Sequence, residues 1–102
     1  MSAIPKRNAY QEDISVLAAG TNILSIPVVV WSITITKDIA ADAVVSISDS
    51  SGNYSQSARV EKVRLTDESP SIQLTYEGGK KFLNGVAAIS NAPSVDVAIT
   101  YE

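Results

Sequence analysis

The sequence predicts an all-β fold, an antiparallel two-sheet sandwich of jelly-roll or immunoglobulin-like kind with seven to eight strands. Three observations predict it. Apolar and polar residues alternate with a period of two in several short stretches. The stretches recur about every ten residues, between clusters of Gly, Asn, Asp, Ser and Pro that mark turns. No stretch is long and periodic enough to stand as an α-helix. At 102 residues the chain has the length of a single domain with one core.

The elements follow in order. Residues 1–12 (MSAIPKRNAYQE) are polar, contain Pro5 and show neither period, so they read as an extended N-terminal arm preceding a sandwich domain at 13–102. Residues 13–18 read as a first short strand with Ile14, Val16 and Ala18 on one face, and Gly20-Thr21-Asn22 as a turn. Residues 23–37 read as strand interrupted by Pro27, which cannot donate to a ladder and belongs at a bend or edge. Beyond it Val29, Trp31, Ile33 and Ile35 alternate with Val30, Ser32, Thr34 and Thr36, which makes Trp31 a core anchor. Residues 37–42 read as a loop, because one turn of helix is not stable alone.

Ala43, Val45 and Ile47 mark the next strand, and Asp49-Ser50-Ser51-Gly52-Asn53 the loop after it. Residues 57–66 form a polar strand in which Val60 opposes the face of Val63 and Leu65, predicting a bulge. Ile72, Leu74 and Tyr76 give a clean alternation, after which Gly78-Gly79 is expected to turn the chain into a strand at 80–84. Gly85 breaks or bulges the chain, and 86–90 leads through Asn91-Ala92-Pro93-Ser94 to the final strand. There Val95, Val97, Ile99 and Tyr101 share one face while Asp96, Ala98, Thr100 and Glu102 share the other.

Composition excludes several classes of function. The chain has no cysteine and no histidine, which removes disulfides, thiolate nucleophiles, Cys/His zinc sites and Ser-His catalysis. Eight basic and eleven acidic side chains give a net charge of −3 with no basic stripe, so no nucleic-acid partner is expected. No apolar run approaches the roughly 20 residues of a membrane helix, so no membrane partner is expected. The opening residues lack the apolar stretch of a secretory signal. Asp38 and Asp42 lie four apart, but calcium wants six to eight oxygens and this pair offers few. The Asp49 loop lacks the closing glutamate of a calcium loop and reads as an Asx/Gly turn. No catalytic residues, cofactor or metal site is therefore assigned, and an enzyme is not expected.

The candidate contact residues are surface ones. Ile4, Pro5 and Tyr10 are apolar points on the polar arm beside Lys6 and Arg7, a pattern suited to adding to a neighbour's sheet or lying in its groove. Tyr54, beside Gly52-Asn53, is expected to be an exposed aromatic at a loop tip.

Two stretches carry a resemblance. Phe82-Leu83-Asn84-Gly85-Val86-Ala87-Ala88-Ile89-Ser90-Asn91, a polar turn, and then Val95-Asp96-Val97-Ala98-Ile99-Thr100-Tyr101-Glu102 resemble small β-sandwich virion proteins of tailed bacteriophages. The segment Val16-Leu17-Ala18-Ala19-Gly20-Thr21-Asn22-Ile23-Leu24 is similar to them too, whereas residues 38–67 match none of their pattern. The resemblance implies a non-enzymatic virion component, such as a head decoration (cement) protein or a neck, tail or fibre attachment, working in the virion after assembly in the host cytoplasm. Its implied partners are the major capsid protein or another virion protein and further copies of itself, as a dimer or trimer. The alternative is a ligand- or receptor-binding β module of a tail or fibre, directed at carbohydrate or a host surface.

Overall fold

The computed structural model of the protein describes residues 6–102. Eight strands form it: β1 (Arg7–Gln11), β2 (Thr21–Leu24), β3 (Val28–Lys37), β4 (Ala43–Ser48), β5 (Arg59–Leu65), β6 (Ser71–Phe82), β7 (Val86–Ser90) and β8 (Val95–Tyr101). A single 3₁₀ turn, Gln56–Ala58, is the only helical element among the described residues. One sheet has the order β1-β8-β3-β6 and the other β2-β7-β4-β5. The pairs β1·β8, β2·β7, β3·β6 and β4·β5 are those of one long hairpin of four strands against four. Rolled up, it drops successive pairs into alternate sheets, and that is jelly-roll winding. The immunoglobulin-like alternative falls away.

Every ladder is antiparallel. The connections therefore alternate between the two ends of the sandwich. The upper end carries residues 12–20, 38–42, 66–70 and 91–94, and the lower end carries 25–27, 49–58 and 83–85. The core lies between the inner faces: Val28, Val30, Ile33 and Ile35 of β3, Val45 and Ile47 of β4, Leu65, Phe82, Val86, and Val95, Val97 and Ile99 of β8 are all buried. Each such side chain contributes about 1.5–3 kcal/mol relative to exposure.

Several expectations need correction. Residues 13–18 are not a strand. Ile14 enters the core from above, but Asp13 takes a left-handed φ of 48°, the Ser15 amide donates to Thr21 Oγ1 and the Leu17 amide donates to Ser15 Oγ. Side-chain oxygens thus hold the backbone donors that a ladder would need. Thr21 and Asn22, read as turn residues, open β2.

Trp31 is not in the core. Val30 pairs with Tyr101 of β8 and Ser32 with Thr100, so Trp31 is an extra residue that shifts the inward phase of β3. Val28 and Val30 point inward before it, and Ile33, Ile35 and Lys37 after it. Gly78-Gly79 does not turn the chain either. On β6, residues 76–79 bulge opposite Trp31, and Lys80, Lys81 and Phe82 resume pairing with Val30, Val29 and Val28. Gly79 has a φ of +81°, and a Cβ there would sit 2.5 Å from Val29 Cγ1, so only glycine fits the bulge. The bulge predicted at Val60 is present: Ile47 pairs with Glu61 and Ser48 with Arg59, leaving Val60 over.

Lys37 follows the inward phase to the upper end. Its side chain is buried, and its ammonium donates to Asp67 Oδ1 and to the Ile39 carbonyl, both at 2.7 Å. At the lower end Asp49 accepts the amides of Leu83, Asn84 and Gly85 at 2.9, 2.8 and 3.3 Å, pinning the β6–β7 turn to the end of β4.

Candidate functional site: an edge, two ends and a groove

The predicted contact residues fall in three places. Ile4 and Pro5 lie outside the described residues. The arm at 1–12 is divided, since Arg7–Gln11 forms β1 and belongs to the sandwich. The β1 ladder runs in unbroken register from Arg7↔Tyr101 to Gln11↔Val97. Asn8 and Tyr10 point away from the core, where Asn8 Oδ1 accepts the Thr100 hydroxyl and the Tyr10 hydroxyl donates to Asp96 Oδ2 at 2.9 Å. That bond, with lesser help from neighbouring acidic groups, holds the exposed Tyr10 phenol above its ordinary range. Lys6 lies with its ammonium 4.5 Å from the centre of the Trp31 ring. Lys6, Arg7 and Tyr10 thus share one edge, and the Lys6 ammonium reaches from it past β8 to Trp31 of β3, which the sequence reading assigned to the core.

Tyr54 stands apart from that edge and is half-buried rather than fully exposed. Its amide donates to the Ala19 carbonyl, and its hydroxyl donates to Gln56 Oε1. The connection 49–58 that carries it folds back over the outer face of the β2-β7-β4-β5 sheet. There Asn22 Nδ2 donates to the Ser50 carbonyl and the Ser55 amide to Ser48 Oγ. Ala87 and Ser48, which face outward, are consequently fully buried.

That cover reaches only part of the sheet. The rest of the same outer face is an open groove of about 690 Å³, floored by Val44, Ser46 and Ile89 and flanked by Val16, Lys62 and Arg64. Arg64 Nη2 is 3.1 Å from Asp42 Oδ2, whereas Lys62 has no ion-pair partner among the described residues. Asp42 therefore serves Arg64. No group of three or more acidic side chains capable of holding a metal ion gathers among the described residues.

The exposed large apolar side chains complete the picture. Val16 and Leu17, 50% and 72% exposed, sit on the upper β1–β2 connection. Ile26 and Leu83, 57% and 69% exposed, sit on the lower connections, where Pro27 and Leu83 border a second, apolar hollow. Sequence reasoning missed both ends and the groove. Their residues come from separate segments, and only the winding brings them together. Compared with known protein families, with curated proteins and with solved structures, the chain gives no match in any of the three.

Proposed function

We propose that this protein is a non-enzymatic structural component of a tailed-bacteriophage virion, a decoration or cement protein that joins neighbouring capsid subunits. The observation that carries the reading is the placement of exposed apolar side chains at opposite ends of an elongated sandwich measuring 47 × 26 × 19 Å. Isolated apolar residues on a surface need no explanation, but pairs at both tips form two separate adhesive points. A rigid body with two such points bridges two neighbours, and bridging is what a cement protein does. The jelly roll itself recurs among viral capsid proteins, in keeping with the resemblance in residues 14–36 and 70–102. The partners are the major capsid protein or another virion protein, and the protein acts as a homo-oligomer whose many symmetric contacts add avidity.

The test is co-sedimentation with capsids of the matching phage, scored for binding and for capsid rupture temperature. Leu17→Asp at the upper end and Leu83→Asp at the lower end are each expected to keep part of the binding and lose the stabilisation. Equal stabilisation by both variants and the unaltered protein would remove the bridge.

The groove supports a second reading, a carbohydrate- or receptor-binding module of a tail or fibre. Its volume is within the range of ligand sites, and Lys62, Arg64, Ser46 and Asn91 supply polar contacts along it. Binding on a glycan array that is lost in Lys62→Ala would favour this reading over the first.

A further inference from the structure

A strand at the edge of a sheet exposes unpaired amides and carbonyls, and proteins protect such edges with charges, bulges, short strands or covering loops. Three of the four edges here carry these devices. β6 has Glu77, Lys80, Lys81 and the Gly78-Gly79 bulge. β5 has Arg59, Glu61, Lys62 and Arg64 with the bulge at Val60. β2 is four residues long, shifts register between Asn22 and Leu24, and has the 49–58 connection bonded beside it. β1 is the least protected: its five residues run in regular register, Arg7 is its only charge, and no described residue pairs with its outer edge.

We infer that the β1 edge is the homodimer interface, two copies pairing β1 against β1 in antiparallel fashion about a two-fold axis through Ala9. This rests on the homo-oligomer part of the proposed function and names its surface. Parity selects the register. A two-fold axis perpendicular to the sheet keeps core-side residues opposite core-side residues, so the paired residue numbers must share parity. Ala9 packs on the core, whereas Asn8 and Tyr10 bond to outward-facing partners. Centring on Tyr10 would recruit Asp13, whose left-handed backbone and amide bond to Asp96 take it out of the ladder. Centring on Asn8 would set Gln11 opposite Pro5, which has no backbone amide to donate to a ladder.

The Ala9 register uses the whole strand. It sets Arg7 opposite Gln11, Asn8 opposite Tyr10, and Lys6 opposite the acidic Glu12 of the second copy, each twice. No like charges face each other. Lys6 and Glu12 flank the β1 ladder, and each Lys6 exchanges its contact with the Trp31 ring for Glu12 of the second copy, an opposite-charge pair of a kind that stabilises facing strands. The result is one continuous eight-stranded sheet across two molecules.

Sedimentation velocity of the full chain is expected to show a dimer at about 100 µM. Glu12→Lys places like charges across both pairs and is expected to weaken association roughly tenfold, with Lys6→Glu doing the same and the double swap restoring it. Both positions are exposed, and an unchanged near-ultraviolet circular dichroism spectrum shows that each variant is folded. The chain has no cysteine, so Ala9→Cys supplies a single thiol at the axis. Opposed Cα atoms at about 4.5–5.5 Å fall within disulfide range, and oxidation is expected to give a cross-linked dimer. A monomer throughout the concentration range, a dimer indifferent to the charge swaps, or no cross-link at Ala9→Cys would overturn the interface. Capsid attachment is read separately, so a dimer that ignores capsids refutes the virion reading alone, and a monomer that binds them refutes the edge alone.

Discussion

The two sheets share one core and differ on their outer faces. On the β1-β8-β3-β6 sheet the outward positions form rows of small polar groups, Ser32, Thr34 and Thr36 on β3 beside Ser71, Gln73 and Thr75 on β6. These need no cover because water satisfies them. On the β2-β7-β4-β5 sheet the outward positions include Ala87, Val44 and Ile89, which are partly roofed by the 49–58 connection and partly left as the groove. The inner pattern of a sandwich is dictated by burial, whereas the outer pattern is free to vary, and surface roles are written there.

The comparison is broken hardest at the shared core. Ile33→Ala in the first sheet and Ile47→Ala in the second, both fully buried, are each expected to cost about 2–5 kcal/mol in urea unfolding. A large difference between them would mean that the two layers do not unfold as one unit. Next come the outer faces, where the sheets should part. Ala87→Leu forces a larger side chain beneath the roofing connection and is expected to cost about 1–3 kcal/mol. Gln73→Leu, on the open sheet, is expected to stay within about 0.5 kcal/mol by the same measurement.

The smallest effect concerns the link between the sheets on the β5/β6 side. The Tyr76 hydroxyl of β6 donates to Glu61 Oε2 of β5 at 2.8 Å. Burial first, and then the bond to Glu61 and its charge, push the Tyr76 phenol far above its ordinary value of about 10. The folded chain therefore holds this proton more tightly than the unfolded one. Its contribution to stability is intact below pH about 10 and is lost as the pH rises from there toward the folded value. Tyr76→Phe is expected to lower stability modestly at pH 8 and to lose less than the unaltered protein between pH 9 and 11, as read from urea midpoints.

Much of the sandwich was legible in the residues. The strict alternation from Val95 to Tyr101 gave β8 its inner face, and the position of Val60 out of phase gave the β5 bulge. What failed, failed for physical reasons. Val28 to Trp31 is an unbroken apolar run, so parity there is undefined and the extra residue at Trp31 cannot be seen. Two glycines of positive φ serve a bulge as readily as a turn, and only the resumed pairing of Lys80 to Phe82 decides between them. Tyr54 reads as a loop tip by its neighbours, but its loop folds back onto Ala19 through contacts distant in sequence. The groove draws Val16, Val44, Lys62, Arg64 and Ile89 from four parts of the chain, and no local pattern gathers them.

The rolled hairpin has a kinetic consequence. β8 lies at the centre of its sheet between β1 and β3, and the Thr100 hydroxyl reaches Asn8 across 92 positions of sequence. A chain must close that span before either neighbour gains its partner, and closure entropy precedes any reward. Folding is accordingly expected in the millisecond-to-second range of β-rich topologies. Ribosome-bound chains lacking β8 would leave β1 and β3 with facing edges open, a state suited to chaperone capture.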